Sequence, residues 1–157
     1  MPKMPLQREI GFNIMDVARM LKTYADQLAR QFGISRAQWS VLVRLDRSEG
    51  LKQSELAEML DLQPISLTRL LDRLAENGLI ERRDDPNDRR ANRLYLTPAA
   101  RPLLERLEGL GKAMMATVLE GLDTKANERL LGELVLIKDN LRAAISRNAT
   151  QQQVVNG

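Results

Sequence analysis

The sequence predicts a mainly α-helical protein with one small β-hairpin. Apolar residues recur every three or four positions through most of the 157-residue chain, which is the spacing of one helix face. Aromatic residues make up only 3% of the chain, so the core must be mostly aliphatic, a composition that favours helices. Residues 78–97 break this pattern with two short runs, 79–83 and 92–96, on either side of a polar turn.

Four helices are predicted before the hairpin. The first spans about residues 9–32, and Gly33 follows as a C-terminal stop. Ser35 and Gln38 have the spacing of a capping box that opens a helix over about 36–47. A short helix over about 53–60 leads through a tight turn into a fourth, over about 64–77, with Pro64 in its first turn.

Two more helices are predicted after the hairpin. Thr97 and Pro98 are typical of a helix start, and they open a helix over about 99–119. Pro102 lies slightly deep in that helix, so we expect a loose first turn or a small kink. Asp123 caps a last helix to about residue 147, and the polar tail 148–157 is predicted to be disordered.

The third and fourth helices have the pattern of a helix-turn-helix. On the fourth, Leu67, Leu70, Leu71 and Leu74 share one face, which must be buried. A helix-turn-helix that binds DNA lays its second helix in the major groove. The candidate DNA-binding residues on the opposite face and its margin are Ile65, Ser66, Thr68, Arg69 and Arg73. An alternative is a solvated face on which Arg69, Asp72, Arg73 and Glu76 form ion pairs along the helix.

The hairpin after the helix-turn-helix has the position of a wing, which completes the pattern of a winged helix-turn-helix. Its tip carries Arg89, Arg90 and Arg93, but nearby aspartates nearly balance them, so a net-neutral solvated turn is the alternative. We predict that Asp88 pairs with Arg90 and shapes the loop, which leaves another guanidinium for the minor groove. Arg89 or Arg93 would then contact phosphate.

Composition excludes several classes of function. The chain has no Cys and no His, which removes disulfides, thiolate metal sites and the commonest general base. No phosphate-binding glycine loop or nucleophile motif is present, so we expect no enzyme, no metal and no cofactor. No signal peptide or membrane span is evident, and we expect a cytoplasmic protein. The net charge of +3 is only weak evidence for a nucleic-acid partner.

From about residue 35 to 97 the chain resembles the MarR family of bacterial winged-helix transcription regulators. The segments that carry the resemblance are Gln38-Trp39, Val41-Leu42, Glu55-Leu56-Ala57, residues 67–74, residues 78–82 and residues 85–90 with Leu96-Thr97. Lys52 stands where the family often has a helix-capping Thr or Ser, Ile65 where a small polar residue is common, and Ala100 where Gly is frequent. The resemblance implies a homodimer on pseudo-palindromic promoter DNA, usually a repressor released by a small, often aromatic, ligand.

The outer helices are predicted to form the dimer. Long apolar stripes on the last two helices, together with the first helix, exceed what a small winged-helix core could cover, although an intramolecular bundle is an alternative. The predicted organisation is an N-terminal dimerisation helix (1–34), a DNA-binding domain (35–98), C-terminal dimerisation helices (99–147) and the tail (148–157). Arg19, Tyr24 and Trp39 are candidate ligand-binding residues, with surface exposure of Arg19 and core packing of Trp39 as the alternative.

Two other functions remain open from the sequence. One is a helical protein-interaction adapter whose winged helix no longer binds DNA, as the nearly neutral wing would allow. The other is an enzyme that relies on carboxylates. Steep weakening of DNA binding by salt would distinguish a DNA-binding protein from the adapter, because phosphate contacts release counterions.

Overall fold

A computed structural model describes residues 5–155. Within this part of the chain, six α-helices and three strands follow in the order α1 (Leu6–Ala29), α2 (Arg36–Arg47), β1 (Leu51–Lys52), α3 (Gln53–Leu60), α4 (Pro64–Glu76), β2 (Ile80–Asp85), β3 (Asp88–Leu96), α5 (Arg101–Val118) and α6 (Thr124–Val155). Short 3-10 turns at Arg30–Phe32 and Pro98–Ala100 follow α1 and precede α5. The mainly helical fold with a small wing is confirmed.

The helix starts reflect local chemistry. At α2 the capping box forms as predicted, because the Gln38 amide N–H donates to Ser35 Oγ and the Gln38 side chain accepts from the Ser35 amide. Gly33 has a φ of 71°, the left-handed conformation that lets the chain leave α1. Pro102 falls in the first turn of α5, and the 3-10 turn before it corresponds to the expected loose start.

The hairpin is part of a three-stranded antiparallel sheet in the order β1-β3-β2. Ile80 pairs with Leu96 across β2 and β3, and Leu51 pairs with Leu94 across β1 and β3. The sequence does not predict β1, because a strand of two residues carries no periodic signal. This short strand joins the root of the wing to the start of α3.

The chain divides into two compact units between Met114 and Met115. The first unit contains the winged helix, α1 and most of α5, and its core is aliphatic apart from Trp39. The largest fully buried side chains are Leu42, Leu45, Leu56, Leu67, Leu71, Leu74, Leu94, Leu107 and Val41. Leu70 is half-buried rather than buried, at the edge of the face that the sequence predicts.

The second unit consists of the end of α5, a turn and the long helix α6. The helix does not end at residue 147 as predicted, because α6 continues to Val155, while the disorder of the tail stays a prediction. No Pro or Gly interrupts residues 148–155, and the Thr150 hydroxyl donates to the Ser146 carbonyl within the helix. The rest of the predicted tail, residues 156 and 157, lies outside the described residues.

Candidate nucleic-acid interface

Helix α4 presents a polar face that its packing leaves exposed. Leu67, Leu71 and Leu74 are completely buried, which fixes the rotation of the helix. Ile65, Ser66, Arg69 and Arg73 lie on the exposed side, as the sequence predicts, and 62% of the Ile65 surface is accessible. Among the described residues, none forms an ion pair or hydrogen bond with the side chain of Arg69 or Arg73. Both guanidinium groups are therefore available to an external partner.

Thr68 lies at the edge of the exposed face of α4, and its hydroxyl is engaged within the helix-turn-helix. Its side chain is half-buried, and its hydroxyl donates to the Pro64 carbonyl at 2.9 Å. The same oxygen accepts a hydrogen bond from Gln53 Nε2 at 2.8 Å. Because Gln53 begins α3, this pair connects the two helices of the motif. A helical projection cannot predict this contact, because Gln53 is 15 residues away in the sequence.

An ion pair joins α4 to the wing. Arg82 Nη2 on β2 lies 2.7 Å from Asp72 Oδ1 on α4, and its side chain is mostly buried between the two elements. This pair neutralises the acidic residue on the exposed side of α4. The sequence alternative, in which Asp72 pairs with arginines of its own helix, is therefore wrong for Asp72.

A buried aspartate anchors the wing. The side chain of Asp85 is inaccessible to solvent, and its Oδ1 accepts from the Asn87 amide at 2.9 Å, which holds the turn at the tip. Its Oδ2 lies 3.2 Å from Arg93 Nε and 3.6 Å from Lys52 Nζ. The Asn87 amide first, and then Arg93 and Lys52, lower the pKa of Asp85 although burial opposes them. The carboxylate is therefore charged at neutral pH.

Arg93 has a different position from the one predicted. Its Nη1 donates to the Gly50 carbonyl at 2.9 Å while its Nε faces Asp85, and its side chain is half-buried at the wing root. Arg93 is thus engaged at the wing root, and its contact with phosphate stays a prediction. The sequence placed Arg93 with the other arginines because it gave no sign of β1, the neighbouring element.

Asp88 shapes the tip through the backbone. Its Oδ1 accepts from the Arg90 amide N–H at 3.0 Å, so it does not use the guanidinium that the sequence suggested. Arg89 and Arg90 are exposed, and within residues 5–155 no side chain or carbonyl binds either guanidinium. The tip thus carries two unpaired arginines on a turn held by Asp85 and Asp88.

The remaining wing arginine lies against the sheet. Arg83 hydrogen-bonds to Glu81, and its Cζ lies 3.9 Å from the centre of the Tyr95 ring. Gly50 allows Tyr95 to approach, since a Cβ there would meet the Tyr95 hydroxyl at 3.1 Å and the backbone φ is 79°.

An open groove of about 800 Å³ lies between α3 and the tip of the wing. Lys52, Gln53 and Asp61 border it on the helical side, and Asp88, Arg90 and Asn92 on the wing side.

Comparison with known proteins identifies this arrangement. A family model described as MarR family matches residues 34–91, from the capping box of α2 to the wing. The transcriptional regulator PA3341 is 31% identical over 85% of this chain and 98% of its own, with a TM-score of 0.77. The chain belongs to the MarR family.

Other solved structures agree. A MarR-family transcriptional regulator from Rhodococcus sp. RHA1 is 26% identical over 86% of this chain and 96% of its own, with a TM-score of 0.76. A MarR transcriptional regulator from Methanosarcina mazei Go1, at 23% identity, 87% and 99% coverage and a TM-score of 0.77, supports the fold alone. Members of the MarR family are transcriptional regulators rather than enzymes. The chain has the fold of such a DNA-binding regulator.

The candidate ligand-binding residues of this MarR-family chain differ in their exposure to solvent. Arg19 is exposed and forms an ion pair with Asp16 at 3.3 Å. Trp39 is buried in the core, where a Cβ on Gly111 would lie 3.6 Å from its ring. Tyr24 is half-buried on α1.

Among residues 5–155, no helix combines the length and apolarity needed to cross a bilayer. The same residues contain no group of three or more acidic, His or Cys side chains arranged to hold a metal ion.

Proposed function

We propose that this chain acts in the cytoplasm as a homodimeric repressor that binds a pseudo-palindromic promoter operator and is released by a small, often aromatic, ligand. One observation supports DNA as the partner more than any other. Four arginines of α4 and the wing tip have no partner among residues 5–155, whereas Asp72 and Asp85 are paired with Arg82 and Arg93. The four arginines without a partner are Arg69, Arg73, Arg89 and Arg90.

The side chains on α4 suit a major groove. Arg69 can bind a guanine edge through two hydrogen bonds or neutralise a phosphate, and Ser66 can serve either base or backbone. Ile65 offers an apolar contact for a thymine methyl group. Arg73 lies one helical turn beyond Arg69 and is suited to the adjacent phosphates. We therefore assign base recognition to α4.

The wing tip suits the neighbouring minor groove or its phosphates. A narrow, A·T-rich minor groove attracts an inserted arginine through its strong negative potential. Asp88 holds the amide of Arg90, so the tip is ordered before DNA binds and less conformational entropy is lost on association. We assign Arg89 and Arg90 to these contacts and assign Thr68, Arg93 and Asp88 to support of the motif.

Exposed apolar residues on the outer helices support a dimer. On α1 the set comprises Leu6, Ile10, Ile14 and Val17, and on α6 it comprises Leu131, Leu134, Leu141 and Ile145. An exposed apolar stripe on each of these helices is typical of an interface, because monomeric proteins rarely expose large apolar patches. A symmetric dimer would place two copies of α4 roughly 34–36 Å apart, one turn of DNA.

A ligand could act on this spacing. It would release the operator only if it bound the non-binding arrangement of the dimer more tightly than the binding one. Arg19 and Tyr24 on α1 remain the accessible candidates for such a site, while Trp39 would contribute through packing.

Selection of genomic DNA tests the proposal. The purified chain is mixed with fragments of its own genome, bound fragments are sequenced, and the preferred site is tested for repression of a reporter. We expect a palindromic site with half-sites about 10 base pairs apart and lower reporter expression. A panel of small aromatic compounds should contain one that restores expression. Selection that enriches no sequence would contradict the proposal and favour the adapter.

A further inference from the structure

Lys52 lies at the junction between the wing and the helix-turn-helix. It is the last residue of β1 and directly precedes α3, and it stands opposite Arg93 in the sheet. Its backbone amide donates to Glu55 Oε2 at 2.8 Å, which ties it to the first turn of α3. Its Nζ extends the other way, to 3.6 Å from Asp85 Oδ2. One residue therefore contacts both parts of the DNA-binding motif.

Asp85 links Lys52 to the tip of the wing. One carboxylate oxygen holds the Asn87 amide in the turn, and the other faces Lys52 and Arg93. No described donor makes a well-aligned hydrogen bond to that second oxygen, so its stabilisation depends on the charges of the two cations. A buried carboxylate without such neighbours is costly, and removal of one cation would shift its position or its contacts.

The open groove between α3 and the wing makes the orientation of the tip depend on the contacts of Lys52 and Asp85. About 800 Å³ of open space lies between α3 and the wing tip, so the direction of the tip is set mainly at its root. There, Arg93 binds the Gly50 carbonyl and Lys52 faces Asp85. A change at the root is magnified at the tip, where Arg89 and Arg90 lie.

We propose that Lys52 is a positioning residue that, through Asp85, holds the wing tip in the orientation needed for operator binding. The inference rests on the proposed function in one respect, namely that Arg89 and Arg90 contact DNA. Lys52 itself acts without touching the operator. The positive charge of Lys52 is the essential property. A side chain with only the aliphatic stem would leave Arg93 as the one cation beside the second oxygen of Asp85.

Hydrogen exchange tests the coupling without DNA. Amide exchange of residues 80–96 is measured by mass spectrometry in the full chain for wild type, Lys52→Met, Lys52→Arg and the control Lys112→Met. Lys112 is an exposed lysine on α5, paired with Glu108, so its replacement matches the loss of charge. We expect faster exchange of the wing in Lys52→Met only. Equal exchange in all four proteins would overturn the proposal.

DNA titration tests the consequence. Affinity for the selected operator is measured by fluorescence anisotropy over a range of salt concentrations for the same proteins, Asp85→Asn and the double variant Lys52→Met/Asp85→Asn. We expect Lys52→Met to bind about fivefold more weakly with an unchanged salt slope, and Lys52→Arg to bind like wild type. The double variant should be no weaker than Asp85→Asn, because both changes disrupt one link.

Two results would overturn the proposal. A salt slope reduced by roughly one in Lys52→Met would show a direct phosphate contact. Additive losses in the double variant would show that Lys52 and Asp85 act separately. If Asp85→Asn fails to fold, the comparison of Lys52→Met with Lys52→Arg still decides the role of the charge. Failure of the wild type to bind any fragment would instead contradict the proposed function, while the exchange experiment judges Lys52 independently.

Discussion

At the residue scale, the arginines of the winged helix divide according to their partners. Arg82 and Arg93 bind Asp72 and Asp85 and thereby join the elements of the motif. Arg69 and Arg90 have no such partner among the described residues. In the sequence all of these arginines carry the same charge, and the aspartates nearly balance those of the wing. In the folded chain the arginines have different roles, because Asp72 and Asp85 are paired with Arg82 and Arg93.

Replacement of the unpaired arginines should separate base recognition from phosphate binding. We expect Arg69→Ala to cost about 1–3 kcal/mol of binding free energy and to relax the preference at one base pair of the operator. Arg90→Ala should weaken binding almost uniformly across sequences and reduce the salt slope by roughly one. Gel-shift titrations against single-base operator variants measure both effects. Unchanged affinity in both variants would contradict the assignment of the site.

Acid should weaken the anchor at Asp85. Because the Asn87 amide, Arg93 and Lys52 lower the pKa of this residue in the folded state, its stabilising effect is fully present above the ordinary pKa of 3.8. The effect is lost as the pH falls through the lower, folded-state pKa. The free energy of unfolding of wild type minus that of Asp85→Asn, from urea titrations, should stay constant from pH 7 to about pH 5 and then shrink. A difference that grows in acid would contradict this linkage.

The sequence predicts which candidate residues are exposed better than it predicts their internal contacts. Helical periodicity predicts that one face of α4 is exposed, because the buried leucine face fixes the opposite one. The residues exposed there are Ile65, Ser66, Arg69 and Arg73. Periodicity does not predict the position of Arg93, because its partner Gly50 is 43 residues away. Asp85 and Lys52 were not among the predicted site residues. An aspartate at the start of a turn was a usable signal for Asp85, whereas the role of Lys52 depends on contact with a distant strand.

At the element scale, boundaries with local causes are predictable and those without are not. The capping box of α2 and the proline at the start of α4 predict where these helices begin. Strand β1 exists only because β3 provides its partner, and α6 continues past residue 147 because nothing stops it. Local chemistry therefore predicts most of the helical fold, while the sheet depends on pairing between distant segments.

Two glycine substitutions should have opposite effects on stability. Gly109 is exposed inside α5, and an added Cβ there would meet no atom within 4 Å. Gly109→Ala should therefore raise the free energy of unfolding by about 0.5–1 kcal/mol, since glycine is a poor helix former. Gly33 has equally open surroundings but a φ of 71°, so Gly33→Ala should lower that free energy by about 1–2 kcal/mol.

Urea unfolding at a fixed protein concentration measures both effects, because the stability of a dimer depends on concentration. Stabilisation by both substitutions would contradict the role given to the left-handed conformation at Gly33. Destabilisation by Gly109→Ala would indicate that this position contacts another surface.

At the scale of the whole molecule, α6 should contribute to a dimer through one face. Leu134 belongs to the apolar stripe, whereas Leu136 lies about 200° around the helix. Both are exposed in the single chain. We expect Leu134→Asp to shift the protein toward monomer in analytical ultracentrifugation because it would bury a charge, and Leu136→Asp to shift it much less. A wild-type protein that is a stable monomer at micromolar concentration would contradict the dimer.

We propose that the unpaired arginines of α4 and the wing form a DNA-binding surface. The most direct test is the salt dependence of affinity for the selected operator, in wild type and in a variant with Arg69, Arg73, Arg89 and Arg90 all replaced by Ala. We predict that wild-type affinity falls steeply with salt and that the variant loses both specific binding and most of that slope, since each phosphate contact contributes roughly 0.9 to it. An affinity for DNA that does not depend on salt, or a variant with the wild-type slope, would contradict a DNA-binding surface formed by these arginines.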